Sequence, residues 1–239
     1  MTHAAHRDTL DLRVVALGGG HGLSANLAAL RHVVKDLTAV VTVADNGGSS
    51  GRLRREFGVL PPGDLRQALS ALCGDDDWGR TWARVLQHRF SSSGEMDNHA
   101  VGNLLIVTLW QLLGDHVSAL DWVGRLLGAE GRVLPMAVTP IDIMAEVRGL
   151  DPHDPGALTT VRGQVQVAST DGQVHAVHLD PEDPPACPQA IAAVTDADWV
   201  GRLLGAQGRV LPMSVTPLDI TADVRGIDPS DRDALTTVR

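Results

Sequence analysis

Two glycine-rich stretches with adjacent polar side chains are the part of this sequence best suited to chemistry. Residues 18–22 read GGGHG and residues 45–52 read DNGGSSGR. Glycine allows positive φ and close backbone approach to a ligand, and the N–H groups of a helix N-terminus attract phosphate. The first stretch lacks the Gly-Lys-Ser/Thr of a P-loop and matches G-x-G-x-x-G poorly. Taken alone, it leaves phosphate binding and a plain tight turn as equal alternatives.

The second stretch adds side chains that could hold a diphosphate or a metal. Asp45 and Asn46 could bind a metal or a ribose hydroxyl, and residues 47–51 could wrap a phosphate with backbone N–H groups. Arg52 or Arg54 could pair with a diphosphate through two parallel hydrogen bonds. The alternative is a flexible surface linker.

Three further polar residues follow at predicted helix starts. Asp64 either caps its helix or places a carboxylate in the same cleft as Asp45, where the two could share Mg²⁺. His99 and Asn103 are four residues apart and therefore share one helix face. A single histidine at such a position is more often structural than catalytic.

A β–α–β unit must position these groups. Residues 12–17 and 37–44 are short apolar runs typical of buried strands, and 22–35 has helical apolar spacing. The order predicts a parallel sheet, whose carboxyl edge would carry both glycine-rich stretches. Residues 45–63 are predicted to be a long loop with at most one helical turn.

The rest of the chain is predicted to continue with helices and then with short strands. Helices are expected at 64–73, 78–90, 99–113, 117–127 and 188–194. Strands are expected at 142–148, 164–169 and 173–179, the last two joined by a hairpin turn at Asp171-Gly172.

The C-terminal segment is a near copy of the middle of the chain. Residues 121–162 and 198–239 match at 33 of 42 positions, and 35 different residues separate them. Two separated copies do not make a repeat architecture. The sequence therefore predicts a nucleotide-binding core in 1–130, a β-rich lobe and return segment in 131–197, and a duplicate in 198–239 that replaces the usual ending.

Composition excludes several classes of function. A net charge of −9 without a long basic run disfavours nucleic-acid binding, and the 3% aromatic content disfavours a base-stacking surface. The two cysteines form no CxxC, which fits the cytoplasm. The sequence has no apolar run of about 18 residues, so no membrane span is expected.

The motifs GGGHGLSANL, VTVADNGGSSGRLR, PPGDLRQAL and NHAVGNLL, in this order, resemble the gluconeogenesis-factor (YvcK-like) family. That family is related to the CofD-like 2-phospho-L-lactate transferases. The resemblance runs from about residue 12 to about residue 200. It implies a Rossmann-like α/β fold, a mostly parallel sheet flanked by helices with a small β-rich lobe.

The resemblance also implies a function. It predicts a cytoplasmic regulator of cell shape and cell-wall precursor supply that binds a UDP-sugar and has no established reaction. NAD(P) is another candidate ligand, and self-association stays open. The alternative is an Mg²⁺-dependent transferase acting on a phosphorylated small molecule, with Asp45 and Asp64 as metal ligands. The candidate ligand-binding residues are Gly18, Gly19, Gly20, His21, Gly22, Asn26, Asp45, Asn46, Gly47, Gly48, Ser49, Ser50, Gly51, Arg52, His99 and Asn103.

Overall fold

The computed structural model describes residues 9–197 and the backbone of 222–225 and 235–238. The chain forms two compact units, Met1–Gly205 and Ala206–Arg239. Most of the predicted 198–239 segment therefore lies outside the described residues. No described helix is both long and apolar enough to cross a bilayer.

A three-stranded parallel sheet forms the centre of the first unit. Its order is β1 (Leu10–Gly18), β2 (Val34–Val41) and β3 (Arg132–Pro135). The register pairs Gly18 with Val41 and Val41 with Pro135, so all three strands end at one edge. All residues from Leu37 to Val41 are buried in β2, as expected for a strand covered on both faces.

Neighbouring residues of these strands pack into two different apolar clusters. Val14 and Val133 join a large cluster, whereas Val15, Val40 and Leu134 join a smaller one. This alternation follows from the two-residue period of a strand. Both faces of the sheet are therefore covered.

Six helices precede the β-rich lobe, a short seventh lies within it, and an eighth follows it. They are α1 (Gly20–Leu30), α2 (Gly48–Phe57), α3 (Gly63–Ala71), α4 (Asp77–Gln87), α5 (Val101–Leu113), α6 (His116–Leu127) and, after the lobe, α8 (Pro188–Asp196). Residues of α1, α3, α5 and α6 fill the large cluster, and α8 contributes Ala190 to the smaller one.

The lobe is a separate antiparallel sheet with the order β5-β4-β6. Its strands are β4 (Asp142–Arg148), β5 (Leu158–Arg162) and β6 (Gln173–Asp180), and the short α7 (Gln164–Ala168) precedes β6. An ion pair of 2.6 Å between Arg54 of α2 and Asp142 of β4 joins the lobe to the helices. The predicted α/β fold with a parallel sheet, flanking helices and a small β-rich lobe is thus confirmed.

Three local predictions were wrong. Residues 48–57 are a helix of ten residues rather than loop. Residues 164–168 are helical, so the predicted strand at 164–169 and its hairpin turn at Asp171-Gly172 do not exist, and β6 pairs with β4 instead. Strand β5, which pairs with the other edge of β4, was not predicted.

The described part of the second unit is an antiparallel hairpin. Its strands are β7 (Ala222–Arg225) and β8 (Leu235–Val238), and Ala222 pairs with Val238 at one end.

Candidate functional site

The candidate site lies where β1 and β2 end. Helix α1 begins two residues after β1, and α2 begins seven residues after β2. The N–H of Thr42 donates to the Gly18 carbonyl at 2.8 Å, which keeps the two chain exits together. The first N–H groups of a helix have no partner within it, so two helix starts offer donors at this edge.

Asp64 of α3 contacts the first turn of α1. Its carboxylate accepts hydrogen bonds from the Gly20 N–H and from the Thr42 hydroxyl, the latter at 3.4 Å. Any side chain at Gly19 would overlap both the Asp64 carboxylate and the Thr42 hydroxyl. The close approach therefore requires glycine at position 19.

Asp64 does not cap its own helix. The N-cap position of α3 is Pro62, with Asp64 inside the first turn. Of the two alternatives that the sequence leaves open, the structure shows the carboxylate in the cleft.

Asp45 faces the same cleft from the loop after β2. Its Oδ1 accepts the Gly47 N–H at 2.8 Å. Its Oδ2 would lie 3.0 Å from a methyl group placed on Gly63, the residue before Asp64. Burial raises the pKa of Asp64, and the negative charge of Asp45 raises it further. The two carboxylates are therefore close enough to repel each other.

This pair fits a divalent cation that is held mainly by a ligand. Among the residues described, no group of three or more His, Cys, Asp or Glu side chains gathers where a metal could bind. Mg²⁺ is commonly bound by one or two carboxylates, with substrate phosphates and water as its other ligands. Asp45 and Asp64 match that donor set, and a cation between them would relieve their repulsion.

Other predicted ligand residues hold the structure around the cleft. Asn46 accepts the Val165 N–H at 3.0 Å and donates to Gln166 at 2.8 Å, which fastens the loop to α7. Ser50 Oγ accepts the Gly63 N–H at 3.0 Å. Arg52 donates to the carbonyls of Glu95 and Asp97, away from Asp45 and Asp64.

Ser49, His99 and Asn103 form a buried network. Ser49 Oγ accepts from the Asn103 side-chain amide at 3.0 Å and from the Ala100 N–H at 3.3 Å. Because both contacts use acceptor positions, the Ser49 hydroxyl proton points to His99 Nδ1, 3.1 Å away. Burial and then Arg52 lower the pKa of His99, so the ring is neutral and Nδ1 can accept. Ser49 and His99 are 2% and 6% exposed, so this serine–histidine pair is buried.

Arg66 extends this network, although sequence reasoning did not single it out. It is 2% exposed and donates from Nε to Asn103 Oδ1 at 3.0 Å and from a terminal nitrogen to Gln87. Burial lowers the pKa of Arg66 to about 10, so it stays charged at neutral pH. Its charge also lowers the pKa of Asp64, against the larger effects of burial and Asp45.

The predicted residues therefore fall into four groups. Those that surround the cleft come from the α1 turn and the loop after β2, namely Gly18, Gly19, Gly20, Asp45, Gly47 and Gly48 with Asp64. Ser49, Ser50, Gly51, His99 and Asn103 pack behind it, and Asn46 and Arg52 hold neighbouring segments. His21, Gly22 and Asn26 are exposed on α1. Thr42 was missed as a cleft residue although it lies directly after β2.

The buried network yields a stability prediction. Asn103→Ala removes the acceptor of the buried Arg66 Nε and one donor to Ser49. We expect the free energy of unfolding to fall by about 2–3 kcal/mol in urea denaturation, because a buried charged donor loses its partner. Asn26→Ala is the matched control, since its side chain is exposed and donates only to the Gly22 carbonyl. Equal effects of the two substitutions would contradict a structural role for the network.

The chain has clear relatives among known proteins. Residues 14–201 match the model of the family described as 2-phospho-L-lactate transferase CofD. A Mycobacterium leprae protein named "Putative gluconeogenesis factor" is 51% identical over 212 residues, 87% of this chain and 58% of that protein. The Bacillus subtilis protein named "Gluconeogenesis factor" is 35% identical over 188 residues, 79% of this chain and 56% of that one.

A solved structure shares the fold. The crystal structure of a upf0052 family member from Bacillus halodurans superposes with a TM-score of 0.68 at 33% identity, over 79% of this chain and 57% of that one. The chain thus spans a little over half the length of these relatives.

Proposed function

The chain belongs to the 2-phospho-L-lactate transferase CofD family, and we propose that it binds the diphosphate of a nucleotide sugar as a regulator rather than as an enzyme. The observation that carries the proposal is the meeting of Asp45, Asp64 and two helix starts at one sheet edge. Ligands of open α/β sheets bind at this edge. A UDP-sugar is the expected ligand, with NAD(P) as the competing dinucleotide.

The donors and charges around the cleft suit a diphosphate with a cation. The turns at Gly19 and Gly47 precede α1 and α2, and the first N–H groups of these helices would donate hydrogen bonds to phosphate oxygens. Asp45 and Asp64 would hold Mg²⁺ against the same oxygens. The cation would supply the positive charge that an acidic cleft needs in order to accept an anion.

The described side chains favour binding over catalysis. Ser49 is 2% exposed, and Cys73 is buried with its pKa raised to about 11 by desolvation. Because both side chains are buried, neither is placed to attack a ligand bound in the cleft. Both described cysteines are unpaired, which fits the proposed cytoplasmic location.

The cellular role is proposed from the relatives. Proteins named gluconeogenesis factor or putative gluconeogenesis factor match 78% or more of this chain. A regulator that senses a UDP-sugar would link carbon supply to cell-wall precursor supply and thereby to cell shape.

A metal-dependent transferase is the second candidate. The family description and the Asp45–Asp64 pair favour it, because Mg²⁺ would both orient a phosphorylated substrate and stabilise charge on it. When bound, the ion would supply Lewis acidity. Turnover of a phosphorylated acceptor in the presence of a nucleotide would select this candidate over the regulator.

Calorimetry with UDP-N-acetylglucosamine and Mg²⁺ tests the proposed site. We expect Gly20→Val to abolish binding, because Gly20 has φ +57° and its N–H lies at the start of α1. Gly114→Val is the matched control, since Gly114 also has positive φ, 69°, and open surroundings but ends α5. Undiminished binding by Gly20→Val, or equal loss in both variants, would refute this site assignment.

A further inference from the structure

A second pocket lies along the side of α2, apart from the cleft. Its volume of about 520 Å³ is that of an ordinary small-molecule site. Helix α2 supplies one wall, and the segment before α5 supplies another with Glu95, Met96 and His99. The α1 turn, Asp45 and Asp64 do not line this pocket. It is therefore separate from the proposed diphosphate site.

A chain of hydrogen bonds fixes the position of the proton on His99. Arg66 can only donate, so its bond to Asn103 Oδ1 leaves the Asn103 amide nitrogen facing Ser49. Ser49 Oγ accepts from that nitrogen and from the Ala100 N–H, and its own proton therefore goes to His99 Nδ1. A neutral imidazole that accepts at Nδ1 carries its proton at Nε2.

The Nε2–H of His99 is a donor directed to this pocket. The residue is 6% exposed, and among the described residues its Nε2 has no hydrogen-bond partner. This nitrogen is nevertheless not one of the fully enclosed polar atoms without a partner, so solvent reaches it from the pocket that His99 lines. A buried donor of this kind requires an acceptor oxygen.

The charges around His99 favour an anionic acceptor. After burial, Arg52 has the largest effect on the pKa of His99 and lowers it, and Arg89 lowers it as well, whereas Glu56 raises it. Positive charge therefore predominates at the ring. Arg52 is anchored by two backbone carbonyls rather than by a carboxylate. A carboxylate ligand would accept the Nε2–H with one oxygen and face Arg52 with the other.

Two exposed apolar side chains make the pocket suitable for an aromatic ring. Phe57 of α2 is 44% exposed and Met96 is 45% exposed, although both side chains are large and apolar. Leu53 and Leu104 also line the pocket. An aromatic ring packs well against phenylalanine and against a methionine sulfur, and it would remove both side chains from water. Arg55, exposed on the same helix, adds a positive charge to the lining.

We propose that this pocket binds a small aromatic carboxylic acid, with the carboxylate on His99 Nε2–H and the ring against Phe57 and Met96. The proposal does not depend on the diphosphate site, because no cleft residue takes part in it. It assigns Arg52 and His99 to a ligand other than the nucleotide sugar.

Matched small ligands test the chemistry of the pocket. In saturation-transfer NMR of the full chain, we expect phenylacetate to bind with a dissociation constant of about 1 mM, ordinary for a ligand of roughly ten non-hydrogen atoms. Phenylacetamide keeps the shape without the charge, and acetate lacks the ring, so each should bind at least roughly tenfold more weakly. Absence of phenylacetate binding at about 10 mM, or equal binding of either analogue, would overturn the proposal.

Substitutions of exposed lining residues test the location. Arg55→Gln and Met96→Ala should each weaken phenylacetate binding roughly fivefold, because each removes one contact at a solvent-exposed wall. Arg84→Gln on α4 and Leu112→Ala on α5 are the matched controls, since both residues are exposed and neither lines the pocket. The same affinity in all four variants would place the ligand elsewhere and overturn the proposal.

The His99 ring gives a direct readout. In long-range ¹H–¹⁵N spectra, phenylacetate should shift the Nε2 signal that is lost in His99→Gln and should leave that of His32, an exposed histidine outside the pocket, unchanged. An unshifted His99 signal would overturn the proposal. Saturating UDP-N-acetylglucosamine with Mg²⁺ should not displace phenylacetate, and displacement would show that the pocket is part of the nucleotide site. If UDP-N-acetylglucosamine itself does not bind, the proposed function fails while this pocket stands.

Discussion

Replacing Asp64 with asparagine will stabilise the unliganded protein and strongly weaken Mg²⁺-dependent binding of a UDP-sugar. Burial and the neighbouring charge of Asp45 both raise the pKa of Asp64 and so disfavour its ionised form. Asparagine keeps an oxygen for the Gly20 N–H and removes the charge. We expect a gain of about 1 kcal/mol, typical of relieving strain at a functional site. Affinity should fall roughly 100-fold, equivalent to about 2.7 kcal/mol, as a metal ligand is lost.

The pH dependence of this gain has a definite sign. Because the pKa of Asp64 is raised in the folded state, the folded protein binds the proton more tightly than the unfolded chain does. The contribution of Asp64 to stability is therefore full below its unfolded pKa and is lost as pH rises through its folded pKa. The advantage of Asp64→Asn should accordingly grow across that interval and stay constant above it, as urea denaturation at several pH values would show.

Asp36→Asn is the matched control for this experiment. Asp36 is an exposed residue of β2, far along the strand from its carboxyl end, so the substitution removes one negative charge outside the cleft. It should leave both stability and Mg²⁺-dependent affinity unchanged. A variant Asp64→Asn that keeps the Mg²⁺ dependence would show that Asp64 is not a metal ligand.

The meeting of the two glycine-rich stretches at one sheet edge could be predicted because it depends on local patterns. Apolar runs define β1, which ends at Gly18, and β2, and helical spacing of Leu23 and Leu27 defines α1 between them. Once the strands are parallel, their carboxyl ends must share an edge. The meeting of the two glycine-rich stretches therefore follows from the order of three elements.

Helix α2 could not be predicted because tertiary contacts stabilise it. Its first four residues, GSSG, have weak helix propensity. In the fold, however, Ser49 bonds to Asn103 and Ser50 bonds to Gly63. These partners are distant in the sequence, so no local sequence pattern indicates the contacts.

The 164–168 segment of the lobe was predicted wrongly for a similar reason. Residues 164–168, QVQVA, alternate apolar and polar residues as a strand does. Asn46, more than a hundred residues away, bonds to Val165 and Gln166 and fixes a short helix there. The same bonds make the lobe part of the wall behind the loop that carries Asp45.

Gly51→Ala is expected to be the most destabilising small substitution near the cleft. A methyl group at Gly51 would overlap the backbone carbonyl of Asn46, because α2 packs directly on the loop after β2. A shift of this carbonyl would disturb Asn46, whose side chain bonds to Val165 and Gln166. Overpacking against such a restrained neighbour costs about 2–3 kcal/mol.

Gly22→Ala is the matched control: it is exposed in α1 with no atom within 4 Å of the added methyl, and it should be neutral or stabilising by up to about 1 kcal/mol. Urea denaturation of the two variants gives the comparison, and calorimetry should show that Gly51→Ala also weakens binding, since Asp45 moves with the loop. A Gly51→Ala variant as stable as Gly22→Ala would mean that α2 does not rest on this loop in solution.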